Sequence, residues 1–169
     1  MYTLEKAQMN ELDVCYSIID TGRKFQKEQG FTQWTDDYPN ADTIMRDICD
    51  GKGYVLKSEG RIAGYMCIDF DGEPAYNNIN GKWETQEPYA VVHRMAFSTD
   101  FRGKGLADVV FRLIDELCVS RGIMSIRVDT DFPNKRMQHI LQKNGFVQRG
   151  VIIFQGSSKL AYDKTLKIT

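Results

Sequence analysis

Hydrophobic residues recur every three or four positions in four segments of the chain, which is the spacing of one face of an α-helix. The third segment keeps this pattern from Leu106 to Cys118, over about four turns, and is the strongest helix signal in the sequence. Asn10 and Asn134 are predicted as the N-caps of the first and fourth segments, the second segment is predicted to begin near Asn40, and the third follows Gly103. Glycines end the last three segments, at Gly51 with Gly53, at Gly122, and within Asn144-Gly145-Phe146.

Alternating apolar and polar residues predict strands between these helices. Ser58-Glu59-Gly60 is a turn that joins two of them into a hairpin. The polar stretch from Asp71 to Pro88 is predicted as a long surface loop, and loops of this length are often functional. The predicted strands cover residues 2–6, 54–57, 61–70, 89–98, 125–130, 146–154 and 159–166. The order β-α-α-β-β-β-α-β-α-β-β predicts a mixed α/β fold in a single domain over residues 1–169, with helices on both faces of the sheet.

Composition limits the classes of function. Hydrophobic residues make up 42% and charged residues 27% of the chain, as in ordinary soluble proteins. The formal net charge of −1 argues against a general nucleic-acid-binding protein. No apolar run approaches the roughly 20 residues of a membrane span, and the first residues lack the pattern of a signal peptide. We therefore expect a cytoplasmic protein without nucleic-acid or membrane partners.

The four cysteines are far apart and form no C-x-x-C pair, so the sequence indicates neither a zinc site nor a redox motif, and no metal is expected. Each cysteine has apolar neighbours in a periodic segment. We expect buried, reduced thiols at Cys15, Cys49, Cys67 and Cys118.

The segment Arg102-Gly103-Lys104-Gly105 lies between a predicted strand and the strongest predicted helix. Glycines let backbone N–H groups approach an anion closely, and the helix N-terminus adds the positive end of its dipole. The two basic side chains add charge, so phosphate is the ligand that this segment suits best. The P-loop pattern does not occur, and a dinucleotide fingerprint starting at Gly103 would need glycine at position 108, where the chain has Asp. A tight turn into the helix is the alternative.

The run Arg102 to Ala107 satisfies every fixed position of [RQ]-x-x-G-x-[GA]. This is the pyrophosphate signature of the GNAT superfamily of acyl-CoA-dependent N-acyltransferases, which the chain resembles. The strand at His93 to Phe97 and the later run Lys143 to Phe146 also resemble the family, as does the order of elements from Tyr2 to Leu166. The resemblance implies one GNAT-like domain, with a mixed, mostly antiparallel central sheet of about seven strands and about four helices on its faces.

The resemblance also implies an N-acetyltransferase that moves the acetyl group of acetyl-CoA to a primary amine of a small molecule or peptide, by direct attack in a ternary complex. The strand backbone would pair with the pantetheine arm and the loop would hold the pyrophosphate. The implied cofactor residues are Met95, Ala96, Phe97, Arg102, Gly103, Lys104, Gly105, Leu106, Ala107 and Asn134. Family members are often dimers, so a homodimer is compatible with the resemblance. A catalytically weak acyl-CoA-binding sensor or partner-binding module remains the alternative.

Direct attack requires a neutral amine and therefore a proton acceptor. His93 is the candidate, because period-two alternation puts it on one strand face with Met95 and Phe97 and imidazole suits base work near neutrality. A histidine that only packs in the sheet is the alternative. Many relatives carry a tyrosine acid five residues before the phenylalanine of the N…GF ending, where this chain has Leu141. Tyr162 is the candidate substitute, with water as the other source of the proton.

Aromatic and acidic residues lie between the first two predicted helices, where relatives have a wall of the acceptor cleft. Such a wall suits a cationic amine. Trp34 and Tyr38 are the candidate substrate-binding residues, although both would serve equally well to anchor the loop to the core. The other residues considered are Phe31, Asp36 and Asp37 in the same segment, and Trp83 and Glu84 in the long loop.

Overall fold

A computed structural model describes residues 1–167 of the chain. Within this range the structure has four α-helices and eight strands, and most strand pairs are antiparallel, which confirms the predicted mixed α/β fold. The helices are α1 (Leu12–Glu28), α2 (Ala41–Cys49), α3 (Leu106–Ser120) and α4 (Lys135–Lys143). The strands are β1 (Tyr2–Lys6), β2 (Gly53–Ser58), β3 (Arg61–Asp69), β4 (Asn80–Gly81), β5 (Ala90–Phe97), β6 (Ser125–Thr130), β7 (Val147–Phe154) and β8 (Ser157–Thr165). No helix in residues 1–167 is both long enough and apolar enough to cross a membrane.

The extra strand, β4, lies inside the stretch that the sequence predicted as a loop. Residues Asn80 and Gly81 pair with Val151 and Gly150 of β7. A 3-10 turn at Pro74–Asn78 precedes β4 in the same stretch. Two-residue strands and 3-10 turns leave no periodic pattern, so hydrophobic periodicity could not reveal them.

The chain forms two compact units. The first contains Met1–Ile68 and Arg94–Leu113. Its sheet has the order β1-β2-β3 followed by the second half of β5, with antiparallel pairs from β1 to β3. Side chains of α1 and α2 pack with Val55, Tyr65 and Ala96 in one hydrophobic cluster. Burial of these apolar faces stabilises the first unit.

The second unit contains Asp69–His93 and the residues from Ile114 onward. The first half of β5 runs parallel to β6, and β6, β8, β7 and β4 follow in antiparallel pairs. Its aromatic core joins the long segment 71–89 to the strands. That core contains Tyr76, Trp83, Val91, Ile152 and Ala161.

Two predicted helix details differ in their outcome. Asn10 is not an N-cap, because it lies in a 3-10 turn at Met9–Glu11 and α1 begins only at Leu12. The backbone N–H of Gln8 donates to Glu11 Oε1 at 2.8 Å, and this contact caps the start of the 3-10 turn. By contrast, α2 begins beside Asn40 as predicted, and the Asn40 side chain caps it by accepting from the Thr43 N–H at 3.0 Å.

We expect Asn40→Ala to lower the free energy of unfolding by about 1 kcal/mol, because the Thr43 N–H loses its acceptor. Urea denaturation measures the change. Asn10→Ala is the matched control and should change stability by less than about 0.5 kcal/mol, as for other surface substitutions. Equal effects of the two substitutions would contradict the assignment of the cap.

The prediction for the cysteines is wrong at one position. Cys15, Cys67 and Cys118 are buried, whereas Cys49 is exposed. Cys49 is the last residue of α2, one position beyond Ile48 and therefore turned away from the buried face of the helix. Burial raises the pKa of the Cys15 and Cys118 thiols to about 12, so both stay protonated at neutral pH.

Candidate functional site

In the first unit, the glycine-rich loop joins a 3-10 turn at Thr99–Phe101 to the start of α3. Gly103 and Gly105 have φ values of 78° and 67°, which L side chains rarely adopt. A Cβ atom added to either glycine would meet nothing within 4 Å, so packing does not require glycine here. A left-handed turn open to solvent is a backbone form in which successive N–H groups converge on an anion.

Helix α3 strengthens this loop as an anion site. The N–H groups in the first turn of any helix have no intrahelical partner, and the helix dipole puts partial positive charge there. Phe101 and Leu106 are buried on either side of the exposed glycines and hold the loop in place.

Basic side chains surround the loop. The Arg102 guanidinium lies 4.4 Å from the Phe25 ring centroid, and Lys104 Nζ lies 5.3 Å from that of Phe101. The Arg61 guanidinium lies 5.0 Å from the same Phe101 centroid and pairs with Asp100 at 3.2 Å. The aromatic contacts position these cations beside the open glycines. The arrangement suits a phosphate or pyrophosphate group.

Strand β5 is irregular at Arg94, whose φ of 54° is left-handed. The Arg94 side chain binds Asp47 of α2 with two hydrogen bonds, Nε to Oδ2 at 2.9 Å and Nη2 to Oδ1 at 2.6 Å. The Tyr65 hydroxyl also donates to Asp47 Oδ2, at 2.6 Å. A left-handed residue interrupts strand alternation. The regular alternation along β5, from which a shared face for His93, Met95 and Phe97 was predicted, is thus interrupted at Arg94.

Trp34 and Tyr38, the two residues predicted to bind the acceptor amine, are both held in place by contacts of the segment between α1 and α2. The Tyr38 hydroxyl accepts from Arg94 Nη1 at 2.8 Å, and Tyr38 remains partly exposed. Trp34 is only 8% exposed and belongs to the hydrophobic core, where its ring packs against Gly22. Trp34 therefore packs in the core of the first unit, and its contact with an acceptor stays a prediction.

Arg23 of α1 fastens the same segment. Its buried guanidinium donates to the carbonyl oxygens of Thr35, at 2.6 Å, and Pro39, and it pairs with Asp20 at 2.7 Å. Asp36 is exposed and paired with Lys27 at 2.6 Å. The segment thus forms a fixed wall of the first unit.

In the second unit, the His93 imidazole lies between two carboxylates. Nε2 is 3.8 Å from Glu73 Oε2, and Nδ1 is 4.0 Å from Asp129 Oδ2. Phe154 stacks on the ring at 5.4 Å, with an interplanar angle of 6°. The side chains of His93 and Glu73 are 11% and 21% exposed, so the cluster is largely enclosed but reachable from solvent.

Asp129 has a second partner, because the Tyr76 hydroxyl donates to Asp129 Oδ2 at 2.7 Å. Burial raises the pKa of Asp129, while the charge of His93 and the hydrogen bond from Tyr76 act in the opposite direction. Lys159, which also favours the carboxylate, is paired with Asp131 at 2.6 Å. The carboxylates around His93 thus outnumber the nearby lysine.

The segment 71–89 brings Glu73 and Tyr76 to His93, and one contact within it and three contacts to the strands hold it in place. Trp83 Nε1 donates to the Tyr76 carbonyl at 2.9 Å, and the Glu84 N–H donates to Asp163 Oδ2 at 2.8 Å. Arg127 Nη2 donates to the Thr85 carbonyl at 2.7 Å, and its guanidinium lies 4.4 Å from the Trp83 ring. The predicted loop is therefore an ordered wall.

The structure does not bring Tyr162 to His93. Asp129 pairs with Ala161 across β6 and β8, and Ala161 packs with Tyr76. Tyr162 pairs with Val128, so its side chain projects to the opposite face of the sheet from Asp129. Tyr162 is 1% exposed, and burial raises the pKa of its phenol.

Asn134 is the N-cap of α4, as predicted, and its side chain accepts from the Met137 N–H at 3.1 Å. Leu141 of the same helix is fully buried. The β5–β6 ladder ends at the pair Val91 and Arg127, although β6 continues to Thr130. His93 therefore lies beyond the part of β5 that pairs with β6.

Sequence reasoning missed Glu73 and Tyr76. One signal was available: Glu73 precedes Pro74, and an acceptor side chain followed by proline is a common helix start. Glu73 Oε1 indeed accepts from the Ala75 N–H at 3.3 Å. Among residues 1–167, no three His, Cys, Asp or Glu side chains are arranged to hold a metal ion.

Comparison with known proteins gives a family and several similar structures. The model of the Acetyltransferase (GNAT) family matches residues 19–146. A GNAT-family acetyltransferase from Streptococcus agalactiae 2603 is 33% identical, with a TM-score of 0.89 over 99% of this chain and 96% of that one. A GNAT-family acetyltransferase from Listeria monocytogenes 4b F2365 is 22% identical, with a TM-score of 0.78 over 98% and 95% of the two chains.

A more distant structure carries ligands. Aminoglycoside acetyltransferase AAC(6')-Ib, solved with coenzyme A and kanamycin, is 19% identical, with a TM-score of 0.70 over 98% of this chain and 95% of that one. At this identity the likeness shows the fold alone. A search of curated proteins gave no significant match.

Proposed function

The chain belongs to the GNAT acetyltransferase family, and we propose that it transfers the acetyl group of acetyl-CoA to a primary amine of a small molecule or peptide. The observation that carries this proposal is the loop before α3, where two left-handed glycines open to solvent lie between basic side chains. In the family this position holds the pyrophosphate of the cofactor, and GNAT relatives have been solved with coenzyme A or acetyl-CoA.

The residues fit such a ligand. The N–H groups from Gly103 to Ala107 would hold the pyrophosphate, and Arg102 and Lys104 would balance its charge. The backbone of Met95 to Phe97 would pair with the pantetheine arm in the manner of an added strand. Asn134 would lie near the thioester end, at the start of α4.

We propose that the amine attacks the thioester carbonyl directly. The nitrogen–carbon bond forms, the carbon–sulfur bond breaks, and coenzyme A leaves as the thiolate. His93 would accept the proton that the amine must lose, and Asp129 beside Nδ1 would stabilise the resulting imidazolium. Water would protonate the thiolate, since Leu141 has no proton to give and Tyr162 lies on the face of the sheet opposite Asp129.

Acetyl-CoA should stabilise the protein against heat. A ligand at 100 times its dissociation constant adds about 2.7 kcal/mol, because it binds only the folded state. For a chain of this size the melting temperature should rise by roughly 5–10 °C. ATP and NAD are the controls. If the melting temperature stayed constant at millimolar acetyl-CoA, the loop would be only a turn into the helix and the proposal would be refuted.

A sensor that binds acyl-CoA without turnover is the second candidate, favoured by the aliphatic Leu141 where many relatives have a tyrosine acid. Release of free thiol from acetyl-CoA with a panel of amines separates the two. Only the enzyme predicts thiol release that depends on the acceptor. The cytoplasmic location and the homodimer remain predictions.

A further inference from the structure

One carboxylate oxygen in the second unit faces two different groups. Asp129 Oδ2 accepts from the Tyr76 hydroxyl at 2.7 Å, and the same oxygen lies 4.0 Å from His93 Nδ1. The first contact is a hydrogen bond, whereas the second is too long for one but short enough for two charges to interact. The position and charge of this oxygen therefore set the charge that the imidazole meets at Nδ1.

Tyr76 is held in place by contacts other than its bond to Asp129. It is fully buried, its N–H donates to the Glu73 carbonyl at 3.0 Å, and its own carbonyl accepts from Trp83 Nε1 at 2.9 Å. Its ring centroid lies 5.3 Å from that of Trp83 and 6.2 Å from that of Tyr89. The hydroxyl thus has a fixed direction before any substrate binds, and a fixed donor can orient its neighbour at little entropic cost.

Asp129 is buried, so its negative charge depends on the groups around it. Burial raises the pKa of this carboxyl, and the nearby carboxylate of Glu73 acts in the same direction. The charge of His93, the hydrogen bond from Tyr76 and the charge of Lys159 act in the opposite direction. The titratable groups that face Asp129 are therefore His93, Tyr76, Lys159 and Glu73, with Asp131 paired to Lys159 at 2.6 Å.

The support that Tyr76 gives does not depend on a charge of its own. Burial and the neighbouring Asp129 carboxylate raise the pKa of the Tyr76 phenol well above its ordinary value, so the phenol stays a protonated donor at neutral pH. A hydrogen bond to the charged form of a carboxyl group favours that form. When His93 takes a proton from the amine, an ionised Asp129 then faces the new positive charge at Nδ1.

We propose that Tyr76 is a positioning residue for the transfer reaction, which acts through Asp129 by holding it as an oriented carboxylate beside His93. This inference rests on the proposed function. Tyr76 keeps its own proton throughout, because the proton that leaves the amine passes to His93 and from there to solvent. Loss of the Tyr76 hydroxyl should therefore weaken the base without removing a group that binds acetyl-CoA.

The first measurement follows the infrared carbonyl band of the protonated Asp129 carboxyl group as the pH is lowered, and Asp129→Asn identifies this band by its absence. In the wild type the band should be absent at neutral pH. Tyr76→Phe removes a hydrogen bond from the charged form, so the pKa of Asp129 rises and the carboxyl group keeps its proton to higher pH. The midpoint of the band should move upward by about one to two pH units, the range for one hydrogen bond to a charged group.

Tyr65→Phe is the matched control for this substitution. Tyr65 is equally buried, and its hydroxyl donates to a different carboxylate oxygen, Asp47 Oδ2, at 2.6 Å. The two variants therefore lose the same kind of buried hydrogen bond, and both should melt at a lower temperature than the wild type. Tyr65→Phe should leave the midpoint of the Asp129 band unchanged.

The second measurement separates catalysis from cofactor binding and from packing. Tyr76→Phe should lower kcat for acceptor-dependent thiol release by about tenfold, the lower end of the range for a hydrogen bond to a charged group. The melting shift with acetyl-CoA should remain that of the wild type. Asp129→Asn should also lower kcat, and the variant with both substitutions should be no slower than Asp129→Asn alone, because Tyr76 acts only through the carboxylate.

Three results would each overturn the role of Tyr76: an Asp129 band already present in the wild type at neutral pH, a midpoint that Tyr76→Phe does not move, or kcat losses that add in the double variant. The first needs no Tyr76 variant, so the proposal can be refuted even if Tyr76→Phe does not fold. Absence of acceptor-dependent thiol release by the wild type would refute the proposed function and this inference with it. Thiol release together with any of the three results would refute the role of Tyr76 alone.

Discussion

Gly105→Val is expected to abolish the stabilisation of roughly 5–10 °C that acetyl-CoA gives the wild type. The branched side chain would occupy the open space before α3, where the pyrophosphate must approach the backbone N–H groups. Valine at a φ of 67° is also strained, which should cost the fold on the order of 1–2 kcal/mol without unfolding it. Thermal melts with and without acetyl-CoA measure the effect.

Gly122→Val is the matched control because Gly122 follows the other end of α3. Its φ is 71°, and a Cβ atom there would also meet nothing within 4 Å. The two variants therefore carry similar strain but differ in position. Gly122→Val should keep the full shift with acetyl-CoA. A folded Gly105→Val protein with normal acetyl-CoA affinity would disprove the phosphate role of the loop.

His93→Ala should lower kcat by about 10²–10⁴-fold with an amine acceptor, the usual contribution of a positioned base. Affinity for acetyl-CoA should stay near that of the wild type. Initial rates of thiol release across a range of pH, together with the melting shift, measure both quantities. Loss of the stacking contact with Phe154 makes a check of folding necessary, and the melting temperature provides it.

His139→Ala is the control for this substitution, since His139 is the other histidine in the sequence and is exposed. It should leave kcat unchanged. If His93→Ala retained both the rate and the pH–rate profile of the wild type, His93 would have a packing role only.

Local signals account for what the sequence predicted well. Helix α2 begins beside Asn40, Asn134 caps α4, and α3 follows its apolar pattern to Ser120, because each depends on residues within a few positions. The loop at Gly103 and Gly105 was predicted for the same reason. Its glycines, basic residues and helix start are contiguous in the chain.

Contacts between distant residues account for what was missed. Arg94, whose φ is left-handed, binds the Asp47 carboxylate, 47 positions earlier in the chain. No pattern within β5 indicates this irregular backbone. Glu73 reaches His93 within a segment that Tyr76 ties to Asp129, 53 positions later. Strand periodicity describes regular backbone only, so it could not predict the left-handed Arg94 or the approach of Glu73 to His93.

Each compact unit carries one of the two tryptophans of the chain. Trp34 is buried in the core of the first unit, and Trp83 is buried in the second, beside the Arg127 guanidinium. The protein thus has one tryptophan fluorophore for each unit. Trp34→Phe leaves tryptophan emission from Trp83 alone, and Trp83→Phe leaves tryptophan emission from Trp34 alone. Denaturation followed through the two reporters would reveal whether the halves of the molecule melt in one cooperative transition or in succession.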